Sequence, residues 1–254
     1  MFLTNPYITI VFDTDALAYI AAVQSADGQP LEFEVKIAYN NFIIGCKSDG
    51  IWSAIKASCI LAGARTLPGA LVPLAGTAPT NANFVAGDYD RKTGLKGDGT
   101  NKSLNSNRNN NADPQNSKHI SVYVTQTSSV TTRYYMGAAS GSGGSSLLVN
   151  STTVIRFFIN SSQGVNQSVN TVGLIGGSRN NSTNFTVRGN GVSGTFSANS
   201  QSRLNDNIRV FTNAEGSGFS NGRIAFYSIG EAIDLALLDT RVSTLMTNLS
   251  TAIV

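Results

Sequence analysis

Between residues 119 and 231 the chain is a succession of short apolar segments, at 119–126, 130–138, 145–149, 153–160, 170–176, 183–188, 192–197, 207–212 and 222–231, most of them parted by Gly- or Asn-bearing turns. Segments this short and this close bury their apolar sides by pairing into packed sheets, which predicts a β-sandwich of jelly-roll type. Alternation is clean in Ile120-Ser-Val-Tyr-Val124 and Ile208-Arg-Val-Phe211. Val154-Ile-Arg-Phe-Phe-Ile159 is nearly continuously apolar and belongs in the middle of a sheet. No period of roughly 20–50 residues repeats, which argues against a propeller or solenoid. Upstream, the stretch Gly87 to Asn105 places glycines at 87, 94, 97 and 99 among Asp88, Asp90 and Asp98, a pattern of short strands and tight turns that opens the β region. Ala138 to Ser146 is a Gly/Ser loop.

Before residue 66 the pattern is helical. Asp13 or Thr14 caps a first helix that ends at Gly28; Leu31, Val35, Ala38 and Phe42 space a second over 31–47. Asp49 caps a third over 51–62, with Trp52, Ile55 and Cys59 on its buried side and Gly63 as its stop. Prolines 68, 73 and 79 with Gly69 and Gly76 mark a boundary. At the far end, Leu235, Leu238, Val242, Leu245 and Leu249 form the apolar stripe of a terminal helix capped by Asp234, which is expected to lie against its own domain. The expected organisation is a helical annex at 1–66, a sandwich at 67–232 and a C-terminal helix at 233–254.

Charged residues make up only 13% of the chain, about half the usual share, and Asn, Ser, Thr and Gly take their place. A net charge of +3 without basic runs argues against nucleic acid as a partner. The apolar patch at 1–12 has no basic flank or cleavage site and is shorter than the ~18 residues a span needs, so neither signal peptide nor membrane span is expected. Cys46 and Cys59, expected on adjacent helices, are read as two buried reduced thiols.

Catalytic chemistry finds little to build on. His119 is the only histidine, so a two-histidine metal site is excluded, and no Gly-x-Ser-x-Gly elbow supports a triad. Gly94 to Ser103 fails the phosphate-loop pattern because Thr100 and Asn101 precede Lys102. Asp88, Asp90 and Asp98 are the oxygens a calcium ion would use, yet the EF-hand spacing is missing, and no metal or cofactor is expected. Asp88 with Asp90, or Glu215, are the acids a glycosidase would use. The expectation is instead a binding protein and not an enzyme, with Asp88, Asp90, Asn107, Arg108, Asn109 and Tyr134 as loop-borne ligand residues.

Three blocks carry a resemblance: Asp15-Ala-Leu-Ala-Tyr-Ile-Ala-Ala-Val23 with Ala26-Asp-Gly28, the run from Gly45-Cys-Lys-Ser-Asp-Gly-Ile-Trp52 through Asn107-Arg-Asn-Asn-Asn-Ala-Asp-Pro114, and Gly222-Arg-Ile-Ala-Phe-Tyr-Ser-Ile-Gly-Glu231 with the final helix. Together they resemble structural proteins of tailed phages of the marine and cyanophage type, whose β part is similar to the concanavalin A-like (LamG-type) jelly roll. The resemblance implies a virion component at the particle surface, a tail-associated fibre, appendage or knob that contacts other virion proteins. It leaves two alternatives, a capsid decoration (cement) protein and a polysaccharide-degrading enzyme on the same fold. A homo-oligomer is expected, with a trimer favoured. A host surface glycan is the external partner this reading suggests.

Overall fold

The computed structural model describes residues 11–139 and 142–253. The apolar patch ahead of Val11 and the centre of the Gly/Ser loop therefore lie outside the described residues. The chain folds as helices α1 (Thr14–Asp27) and α2 (Phe33–Ser48), strand β1 (Ile55–Ile60), the short helix α3 (Leu67–Ala70), then β2 (Thr80–Ala82), β3 (Tyr89–Asp90), β4 (Gly94–Lys96), β5 (Ser103–Asn109), β6 (Lys118–Gln126), β7 (Arg133–Gly137), β8 (Ser146–Val149), β9 (Ile155–Phe158), β10 (Val165–Gln167), β11 (Gly173–Arg179), β12 (Asn184–Gly189), β13 (Val192–Ser197), β14 (Asn207–Val210), β15 (Arg223–Gly230), and helix α4 (Leu235–Ala252). Two antiparallel sheets result. Sheet A runs β13-β12-β11-β6-β15-β4-β3 with β1 also on β15, and sheet B runs β10-β9-β8-β7-β14-β5-β2. This is the jelly-roll-like sandwich that the strand pattern predicts.

The apolar residues sort into two cores. Leu104, Val122, Val124, Tyr135, Phe157, Ile175, Ile208 and Tyr227 fill the space between the sheets. Tyr19, Val35, Phe42, Leu238, Val242 and Leu245 pack the helices on the outer side of sheet A, against Leu174 and Phe226. The Phe42 and Phe226 rings meet edge-on at 5.8 Å. The middle of sheet A, at β1, β15, β6 and β11, is thus covered on both faces, whereas no helix lies on the outer face of sheet B among the described residues. The caps form as their chemistry requires: Asp13 accepts from the Asp15 N–H, Asp234 from those of Ala236 and Leu237, and Gly28 takes the left-handed conformation (φ 66°) that ends α1.

The third helix expected at 51–62 is absent, and this stretch is a 3-10 turn at Trp52–Ala54 followed by β1. Ile55 and Ile60 enter the helix-side core while Ala57 and Cys59 enter the core between the sheets. Trp52, Ile55 and Cys59 share a helical spacing, and the alternation Ile55-Lys-Ala-Ser-Cys59 is short and ends at the apolar Ile60, so the local pattern fits a helix and a strand alike. Cys59 consequently lies on a strand and not a helix; both cysteines are free and buried, as read from their apolar flanks. Trp52 is only partly buried, packed on the rim of the helix core with the Lys47 Nζ 5.9 Å above its ring. Asn190 and Gly191 (φ 51° and 70°) make the two-residue turn that fixes the β12–β13 register.

Leu238 is fully buried, so Leu238→Ala is expected to cost about 2–5 kcal/mol in urea unfolding, a cavity-forming loss. Trp52→Ala, at a site already partly open to water, should cost clearly less. The reverse order would contradict the placement of the two cores.

Candidate functional site

The outer face of sheet B holds a polar groove lined by Asn105, Asn109, Asn205, Asp206, Asn207, Arg209 and Ala214, with a volume of about 370 Å³. Its floor is made by two cross-strand pairs, Asn207 opposite Asn109 and Arg209 opposite Asn105. Ile208 and Val210 point into the core, so the period of two sends Asn207 and Arg209 outward. Between those pairs β5 carries extra residues and bulges: Asn107 adopts φ 55°, and the buried Ser106 Oγ donates to the Ile208 carbonyl at 2.5 Å. The bulge widens the spacing between Asn105 and Asn109 and so opens the groove.

A buried charge cluster fixes the wall. Asp113, 1% exposed at its side chain, pairs with Arg108 through both guanidinium Nε and Nη2 and with the fully buried Lys118 Nζ at 2.7 Å. Burial pulls the Asp113 carboxyl upward, but Arg108 and Lys118 outweigh it and hold the group below the ordinary carboxylate range. Burial pushes the Lys118 ammonium down to about 8 against the pull of Asp113. Arg203 Nη1 donates to the carbonyls of Asn111 and Asp113, and the Asn110 N–H donates to the Asp206 carbonyl at 2.8 Å, tying the 203–206 segment to the end of β5. Asn205 Oδ1 accepts from the side-chain amides of Asn109 and Asn111.

Within this frame, several groups stay unused. Among the described residues, the Arg209 guanidinium, the Asp206 carboxylate and the Asn207 amide have no hydrogen-bond or ion-pair partner in the protein. The groove thus presents donors and acceptors side by side on a rigid sheet, which suits a ligand rich in hydroxyls or amides.

Of the residues expected from sequence to bind ligand, Asn109 lines this groove. Asn107 and Arg108 stand beside it on β5 but are engaged: Asn107 Nδ2 donates to Ala78 O and Thr80 Oγ1, holding the edge strand β2, while Arg108 serves Asp113. Tyr134, on β7, is 7% exposed and is covered by Gly218, whose carbonyl accepts from its N–H. Asp88 and Asp90 are remote in topology, at the β3–β4 edge of sheet A. Asp88 binds Lys102 Nζ at 2.5 Å and the Val85 N–H, Asp90 accepts from the N–H groups of Lys92 and Thr93, and Asp98 from those of Thr100, Asn101 and Lys102. These aspartates cap their own turns; among the described residues no group of three or more His, Cys, Asp or Glu is placed to hold a metal. Arg209 was legible as an outward residue from the Ile208/Val210 alternation. Asn205, Asp206 and Asn207 carried only the signal of a polar turn.

His119 lies outside the groove, fully buried between β6 and β15. Its Nδ1 is 2.5 Å from the Glu231 carbonyl, which only accepts, so Nδ1 bears the proton and Nε2 accepts from the Ser228 hydroxyl at 2.7 Å. Burial pushes this imidazole down to about 4.

No family model and no curated protein matches the sequence. Solved structures match in fold. The botulinum neurotoxin serotype D binding domain is similar with a TM-score of 0.51 at 11% identity, over 75% of this chain and 50% of that one. The receptor binding domain of botulinum neurotoxin C/D mosaic serotype gives 0.53 at 11% identity, over 76% and 51%. The chain spans about half the length of these structures, and the likeness is one of fold alone.

Asp113→Asn leaves Lys118 buried without its counter-charge and is expected to lower stability by about 3–5 kcal/mol in denaturant titration. The single histidine gives a separable pH effect. Its folded pKa, about 4, lies below the ordinary 6.5, so the unfolded chain binds the proton first. Stability is full above 6.5 and falls as pH drops toward 4, by roughly 3 kcal/mol in total. His119→Gln should flatten the dependence of the melting midpoint in that window.

Proposed function

We propose that this chain is a non-enzymatic binding module on the surface of a tailed-phage particle, and that the groove on sheet B holds a glycan of the host surface. The observation that carries the glycan reading is the set of polar groups unengaged among the described residues, Arg209, Asp206 and Asn207, gathered with Asn105 and Asn109 on the sheet face that no described helix covers. Sugars are recognised by such planar amide, guanidinium and carboxylate groups, each able to share two hydrogen bonds with neighbouring hydroxyls. The fold supports the reading by analogy, since the similar domains are described as binding and receptor-binding domains. Placement on a phage particle rests on the sequence resemblance and on the low-charge surface rich in Asn, Ser, Thr and Gly. Among the groove's lining residues Asp206 is the only acid, whereas glycoside hydrolysis employs two.

Titration of the purified protein with host surface polysaccharide should show saturable binding that Arg209→Ala with Asn207→Ala weakens tenfold or more, at unchanged melting temperature. Absence of binding would refute the glycan reading. Release of reducing ends, abolished by Asp206→Asn or Glu215→Gln, would refute the non-enzymatic one. Antibody labelling of intact particles tests the location, with label on the tail expected.

A further inference from the structure

The sheets end in strands that differ sharply in length. β3 has two residues, and β2 and β10 have three each, which is how folded proteins blunt an exposed edge. β1 is longer but its free side is occupied, because the Ser58 N–H donates to Ala75 O and Ser58 O accepts from the Leu74 N–H. β13 is the exception. Its six residues, Val192-Ser-Gly-Thr-Phe-Ser197, pair with β12 in unbroken register from Gly189–Val192 to Asn184–Ser197. They include no charge, no proline and no bulge, and four of them are exposed. Among the described residues nothing pairs with the other side.

The turn determines which groups that side offers. In a two-residue hairpin the residues flanking the turn, Gly189 and Val192, form a hydrogen-bonded pair, so Ser193, Thr195 and Ser197 direct their N–H and C=O groups away from β12. We propose that β13 pairs antiparallel with β13 of a second copy of this chain, joining the two A sheets across a two-fold axis that passes between the paired Thr195 residues. Hydrogen-bonded opposed pairs take both residues from the outward set, and centring the two strands on Thr195 uses all three outward residues, with Thr195 against Thr195 and Ser193 against Ser197. Hydroxyl pairs of this kind are favourable across strands, and no like charges meet. The edge therefore complements itself, which is the requirement of an isologous dimer. On the helix side a hollow of about 570 Å³ lies between the first turn of α4 and Thr186 and Ser193, and Arg188 bridges Asp239 of α4 and the Ser193 hydroxyl, so α4 is anchored to β12, one strand in from the edge. The proposed assembly is two-fold, whereas the sequence reading favours a trimer.

Sedimentation velocity of the wild-type chain in the micromolar range should give a dimer. Thr195→Lys and Thr195→Glu, each opposing like charges across the axis, should each sediment as monomers with unchanged melting temperature, and an equimolar mixture of the two should recover the dimer. A monomeric or trimeric wild type overturns the proposal. So does a Thr195→Lys protein that stays assembled, or a mixture that stays monomeric.

Discussion

Strand β15 is held along both edges, and the rest of the molecule is arranged around that fact. One side pairs with β6 from Arg223 to Gly230; the other meets β4 at Arg223 and Ile224 and β1 from Phe226 onward. Its side chains feed both cores, Phe226 toward the helices and Tyr227 and Ile229 toward sheet B. A backbone committed on both edges and buried on both faces leaves no unpaired amide to desolvate, and that makes a deep three-layer packing possible. Even its polar residues are absorbed: Ser228 serves His119, and the Tyr227 carbonyl accepts from Ser58 Oγ at 2.7 Å.

The same asymmetry decides where a ligand can approach. The helices remove one face of sheet A from solvent, so the opposite side of the sandwich is where strand residues can meet another molecule. There the β5 bulge and the Asp113 cluster cooperate, the first spacing the side chains of the groove floor and the second locking its wall. The cluster is costly to desolvate, and its geometry is what fixes the position of the 203–206 segment; that is a role in specificity of position more than in net stability. Binding groups on strands held in this way lose little freedom when a ligand arrives.

Legibility followed burial pattern. Ile208–Phe211, with Arg209 facing the groove, declared itself by alternation, as did Ile120–Val124 although Ser121 and Tyr123 on its second face are covered by the helix layer, and α4 by its stripe of Leu235, Leu238, Val242, Leu245 and Leu249, all of which are buried. β1 did not, because the helical spacing of Trp52, Ile55 and Cys59 competes with its short alternation Ile55-Lys-Ala-Ser-Cys59. The groove was half legible. Asn109 was singled out by its asparagine run, and Arg209 by the strand period, but Asp206 and Asn207 acquire meaning only from their register opposite β5.

What the sequence by itself determined is therefore the local grammar: caps at Asp13 and Asp234, the Asn190–Gly191 turn, the two-fold period of the strands and the scarcity of charge. These depend on backbone preferences and side-chain periodicity within a few residues. Which sheet receives Ile55–Ile60, which aspartates are consumed by their own turns, and which polar groups are left facing a groove were decided by tertiary structure alone. Those outcomes depend on pairing between residues as far apart as Asn105 and Arg209, or Cys59 and Tyr227, and no local pattern encodes a partner at that separation.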